Sequence, residues 1–257
     1  MAYLQVDADN EPALAVYRRF GFSSPPVGVK FLFDKPEGLP RLDKQVPFCG
    51  MVGEAQKRGT SFYMDIDNHG CPPGTHVVGC ELPKIVEGGN LGPELRIFKG
   101  AYANRRALAA APTFPKGTVN YVVFAPLDEL SFTPDLFIIL TDTTSQAEIV
   151  LRALSYTTGM VLNSKMTNVL GRAWLFAYPY LSGQVNYLTT GIGFGMKAQK
   201  VFPEGRQLIS IPYDWLPVIT MNLEEMEWVP PSYTEEGPEL SKQMFAKFGF
   251  FQNKSTE

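Results

Sequence analysis

The chain has 257 residues, a formal charge of −3, 45% hydrophobic and 19% charged residues, which excludes disordered, collagenous and strongly nucleic-acid-binding classes and describes an ordinary globular protein. Twenty-three basic residues against 26 acidic ones remove the counterion-release term that dominates nucleic-acid affinity, and the longest basic run is Arg105-Arg106. No stretch approaches the ~20 apolar residues of a bilayer span, and no charged segment leads into an apolar one at the start, so a cytoplasmic protein without a membrane span is expected.

Residues 10–22 read as a short helix, with Asn10 as N-cap, Pro12 in the first turn and Gly21 as the stop. Asn10, Ala13, Tyr17 and Gly21-Phe22 also resemble the short signature near the end of the GNAT acetyltransferases, against which stands the plain capped helix. Residues 27–33 form a β-branched and aromatic run, predicting a strand. A Pro- and Gly-rich connection follows over 34–47, then a helix over 48–58 closed by Gly59, and a strand over 61–66.

Residues 119–125 and 136–140 have the length and branching of buried strands. The second leads into a helix whose start is marked by Ser145 and Glu148, spaced as a capping box, and residues 160–163 then resume an extended pattern. Strand, helix and strand in succession predict one βαβ unit. Further strands are expected at 174–178, 185–190 and 207–211, and a helix over 213–226. There is no repeat of fixed period. The expected fold is α+β, a mixed sheet with flanking helices, in a single domain over 1–257 with possible lobes 1–117 and 118–257.

Four metal-competent side chains, His69, Cys71, His76 and Cys80, crowd into twelve residues of a Gly/Pro-rich loop, and Cys49 precedes them on a helix. Thiolate and imidazole are preferred ligands of transition metals, so these five are the candidate ligands of a transition metal or iron-sulfur cluster. Two other readings stand beside that one: cysteines that merely pack, and a Cys71 thiolate activated by His69 or His76. Three cysteines are too few and too odd a set for a disulfide framework.

The segments Pro25-Pro26-Val27-Gly28-Val29-Lys30-Phe31, Phe48-Cys49 with Ala55 and Gly59, Cys71-Pro72-Pro73-Gly74 and Gly79 resemble the DUF169 family of archaea and anaerobic bacteria. Residues 135–140, Gln146-Ala147 and Gly159 extend the likeness. The resemblance implies a protein of anaerobic metabolism in which cysteine-bound iron or another cofactor is at home. It carries over no catalytic residue. The segment Gly191-Ile192-Gly193-Phe194-Gly195 departs from the polar or cysteine-bearing stretch expected of relatives and reads as a closely packed loop rather than a nucleotide-binding one.

Two alternatives belong to other classes. An enzyme acting on a small molecule would open its cleft after the strand at 136–140, where Thr141, Asp142, Thr143 and Gln146 surround a helix N-terminus suited to an anion. A non-catalytic assembly subunit, as a homodimer or with a protein partner, would present Trp174, Phe176, Tyr178, Tyr180 and Tyr187. Finally, Leu240, Met244, Phe245 and Phe248 fall at helical spacing, so residues 238–251 are expected to dock as a helix on their own domain or across a dimer contact.

Overall fold

The computed structural model describes residues 11–249. Six strands form one sheet in the order β2-β3-β1-β4-β6-β5: β1 Val27–Leu32, β2 Phe62–Met64, β3 Tyr121–Pro126, β4 Leu136–Thr141, β5 Asn186–Thr189 and β6 Gln207–Pro212. Every neighbouring pair is antiparallel. With eleven α-helices around the sheet among the described residues, the class is α+β.

The expected βαβ unit is not formed as read. After β4 and the helix α7 (Thr144–Ser155), residues 160–163 join no strand. The chain returns to the sheet only at β5, which runs parallel to β4 but is separated from it by β6. A strand that arrives later in sequence has split the crossover, and local pattern cannot announce such an insertion. The cap of α7 also differs from its expected form: Thr143 Oγ1 accepts from Gln146 N–H, and Gln146 reaches back with its side chain, while Ser145 lies inside the helix.

Both sheet faces are covered, and a separate apolar cluster packs on each. On one face Val27, Val29, Phe31, Phe124, Leu136 and Ile138 pack beneath α2 (Gly50–Arg58) and the π-helix Ala173–Ala177, which runs on into α8 (Tyr178–Ser182). On the other, Ala125, Phe137, Ile209 and Ile211 pack beneath α7 and α10 (Leu216–Glu225), with Val16, Tyr17 and Phe20 of α1 (Glu11–Phe20) added at the margin. The acetyltransferase-like signature is therefore a packing helix; its proposed cap, Asn10, lies outside the described residues.

One apolar segment takes a form its sequence did not announce, and another takes the expected form with little burial. The run expected as a strand at 174–178 is helical, with Ala173, Trp174, Leu175, Phe176 and Ala177 all buried. A helix apolar on every side has no 3.6-residue stripe to distinguish it from a buried strand. The tail does form its helix, α11 (Gly237–Lys247), yet only Gly237 of it is buried, and Met244 and Phe248 are exposed. Among the described residues α11 packs chiefly on the short turn Pro231–Tyr233 before it, and Phe250 and Phe251, part of the segment expected to dock, lie outside the described residues.

Candidate functional site

The first sheet face leads to an unusual buried residue. Arg172 directly precedes the π-helix, lies within a continuous run of buried residues from Leu170 to Ala177, and is 5% exposed. Its Nε and Nη1 have no hydrogen-bond partner, and among the described residues no carboxylate forms a salt bridge with it. A buried charge without a counter-charge costs several kcal/mol, so this placement demands an explanation. π-Turns are themselves frequent at functional sites.

Around the guanidinium the loops are pared down to glycine. A Cβ on Gly74 would stand 2.2 Å from Nη1, and one on Gly195 would stand 3.3 Å from Nη2. Gly74 belongs to α3 (Pro72–Thr75), whose N-cap is Cys71; Gly195 belongs to α9 (Phe194–Ala198). The Cys-Pro-Pro-Gly motif and the Gly-Ile-Gly-Phe-Gly segment thus converge on one cation, the first at Nη1 and the second at Nη2. The loop bearing Cys71 is held in place by buried Asn68, whose Nδ2 donates to the carbonyls of Leu42 and Lys44 at 2.8 and 3.2 Å, and by Gly70 N–H donating to Val46 O at 3.0 Å.

Beside Arg172 lies a cavity of about 110 Å³ that Cys71, Asn104, Leu108, Leu170 and Gln199 help to line. This is room for several water-sized groups. Asn104 donates through Nδ2 to Gly89 O at 3.1 Å and leaves its buried Oδ1 unpartnered. The cavity therefore offers a fixed cation, a free acceptor and a thiol on mostly apolar walls, a composition suited to a small ligand with one charged end.

The five candidate ligands do not form one set. Cys49, Cys71 and His69 lie near Arg172, but His76 turns its Nδ1 to Cys80 O at 3.1 Å, and Cys80 is half-buried between two open clefts. Among the described residues no three His, Cys, Asp or Glu side chains converge closely enough to hold a metal ion. Between Cys71 and Cys80 the chain coils through α3 and a 3₁₀ turn (His76–Val78).

The electrostatics of the cluster follow from burial. Desolvation pushes the Cys49 thiol up to about 11 despite the nearby Arg172 charge, so it is a neutral thiol at physiological pH. We expect alkylation followed by mass spectrometry to modify Cys80 first and Cys49 last; early modification of Cys49 in the folded protein would contradict this burial.

His69 has both ring nitrogens unpartnered and packs edge-on against Phe48 at 5.3 Å. Burial, reinforced by the Arg172 charge, lowers its pKa from 6.5 to about 4. Because the folded-state value is depressed, only the unfolded chain takes up this proton as pH falls below 6.5. Stability should therefore drop between pH 6.5 and 4, by roughly 3 kcal/mol from this group. Urea melts across that range should show a flatter dependence for His69→Gln than for the native chain; identical slopes would refute the assignment.

The turn after β4 is engaged otherwise. Asp142 accepts from Ser23 N–H at 2.6 Å and pairs with Arg206, while Gln146 Nε2 donates to Phe20 O at 3.0 Å and its Oε1 accepts from Asp142 N–H at 2.7 Å. Thr141 is fully buried, with Oγ1 toward Gln207 O, and Thr143 caps α7. These four residues tie α1, α7 and the sheet together. Of the aromatic set, Trp174 and Phe176 are core residues and Tyr180 is partly exposed. Asp65 and Asp67, near the loop in sequence, pair with Arg41 at 2.7 and 3.3 Å.

A search that ranks histidine and cysteine first passes over Arg172. Its signal was nonetheless present: it is the one charged residue in the apolar stretch Val169-Leu170-Gly171-Arg172-Ala173-Trp174-Leu175-Phe176-Ala177.

Comparison with known proteins adds a family and one relative. The model of the DUF169 family, described as an uncharacterised ArCR, matches residues 16–222. Uncharacterized protein MJ0308 of Methanocaldococcus jannaschii is 28% identical over 142 residues, which cover 53% of this chain and 60% of that protein. The match thus spans less than two thirds of that relative's length. No solved structure matches significantly. No helix among the described residues is long and apolar enough to cross a membrane.

Proposed function

The chain belongs to the DUF169 family, which carries no residue roles over to it, and from its own geometry we propose that it binds a small anionic ligand on Arg172. The observation that carries this reading is the buried guanidinium with Nε and Nη1 unpartnered, beside a cavity lined by Cys71 and Asn104. An anion would supply the missing counter-charge, and a planar carboxylate or a phosphate matches the fork of donors that arginine presents. The apolar walls would take the remainder of the molecule, and the Asn104 Oδ1 would accept a hydrogen bond from it. Cys71 would then lie against the ligand, so any chemistry at this site has a thiol at hand.

Thermal-shift measurements with small carboxylates, inorganic phosphate and sulfate test the proposal. At 100 times its Kd, a ligand selective for the folded state stabilises by about 2.7 kcal/mol. We expect at least one anion class to raise the melting temperature in a saturable manner, with protection of Cys71 from alkylation. A uniform response to all salts, without saturation, would oppose specific binding.

A further inference from the structure

The strand pairings repeat themselves. Val27 faces Pro126 as Leu136 faces Pro212, and the correspondence continues through all six pairs, to Leu32 facing Tyr121 and Thr141 facing Gln207. The outer strands obey the same mapping. Phe62, Tyr63 and Met64 face Phe124, Val123 and Val122; Asn186, Tyr187 and Leu188 face Ser210, Ile209 and Leu208. Where the halves join, Val27 faces Ile138, Gly28 faces Phe137 and Val29 faces Leu136. Exchanging β1 with β4 leaves that pairing unchanged. A local two-fold axis at the Gly28–Phe137 pair therefore accounts for the order β2-β3-β1-β4-β6-β5.

The likeness reaches beyond the ladders. β3 runs into Pro126-Leu127-Asp128-Glu129-Leu130 and β6 into Pro212-Tyr213-Asp214-Trp215-Leu216, each a 3₁₀ turn with proline at its start. Leu127 N–H donates to Pro26 O and Tyr213 N–H to Asp135 O, in each case the residue just before the first strand of its half. β2 and β5 both follow a helix that ends on a left-handed glycine: Gly59 at φ 62° closes on Ala55 O, and Gly183 at φ 65° closes on Pro179 O. Counting back from these glycines, Arg172 comes level with Phe48, and the extra residue that a π turn accommodates brings it level with Cys49. Antiparallel pairing permits many registers. It does not require two distant halves to share their register, proline turns and helix-ending glycines.

We propose that the chain is two copies of one strand–helix–strand–strand unit, residues 27–130 and 136–216, and that the Arg172 cavity is a composite site between them. The first copy contributes Cys71, Asn104 and the nearby Cys49; the second contributes Arg172 and Gly195. One copy has specialised in thiols, the other in the cation. A ligand seated there touches both copies, a consequence that rests on the anion-binding reading, whereas the duplication does not. Insertions of unequal length, above all the four helices between β2 and β3, hide the repeat from any search for a fixed period.

A crystal structure of the full chain grown with inorganic phosphate, and separately with acetate, tests both parts. Residues 27–32, 59–64 and 121–130 should superpose on 136–141, 183–188 and 207–216 by a rotation close to a half turn, and the anion should contact side chains from both copies. A fit no better than one slipped by two residues would overturn the duplication. An anion held by one copy alone would overturn the composite site. Matching halves with no anion at Arg172 would overturn the composite site together with the anion-binding reading, and would leave the duplication standing.

Discussion

Arg172→Met is expected to keep the protein folded and to leave its stability unchanged or raised by up to about 4 kcal/mol, because a buried charge replaced by an apolar side chain of similar length sheds its desolvation cost. The native guanidinium is 5% exposed and has two nitrogens without partners. Few buried polar residues promise a stabilising substitution of this size, and a site kept for ligand binding is where such a sacrifice belongs. Urea unfolding in buffer free of candidate ligands measures it. A loss of more than about 2 kcal/mol would mean that the guanidinium is satisfied by the protein itself, as removal of a well-partnered buried group is strongly destabilising.

The second large effect lies in the core. Phe124 is fully buried and meets Phe62, Phe48 and Phe176 at ring distances of 5.7, 6.1 and 6.2 Å. Phe124→Ala should cost about 3–5 kcal/mol, a large part of a typical domain's stability, and lower the melting temperature by roughly 10 °C. Because Phe48 adjoins Cys49 in the chain and Phe176 belongs to the π-helix that Arg172 precedes, the cavity left here should also weaken anion binding. Leu181→Ala, at an exposed position on α8, serves as the control and should change neither quantity measurably. Equal effects of the two substitutions would show that the aromatic cluster does not organise this face.

Much of the sheet is legible in the sequence, because β1, β3, β4 and β6 are apolar runs of the right length bounded by proline or polar residues. Gly59 announces the end of α2 for the same local reason. The order of the strands is not local. A βαβ reading of residues 136–163 is reasonable on pattern, yet residues 160–163 join no strand, and the next strand to reach the sheet, β5, is separated from β4 by β6, which comes still later in sequence. The π-helix at Ala173–Ala177 eludes pattern because burial on all sides erases periodicity.

At the site, Cys71 and the glycine-rich segment at 191–195 were legible as places and not as partners. What joins them is the one charged side chain in an apolar helix, and its significance rests on two guanidinium nitrogens, Nε and Nη1, without a partner among the described residues, which no sequence displays. His76 and Cys80 illustrate the opposite case. Their spacing suggests ligation, but His76, at the start of a short 3₁₀ turn, has its Nδ1 on the backbone carbonyl of Cys80.

The central claim, that Arg172 holds an anion, is tested most directly by calorimetric titration of the most stabilising anion into the native chain and into Arg172→Met. The account predicts one-to-one binding to the native protein and a loss of at least about tenfold in affinity in the variant, the equivalent of about 1.4 kcal/mol. Equal affinities for the two proteins, with Arg172→Met folded, would contradict it.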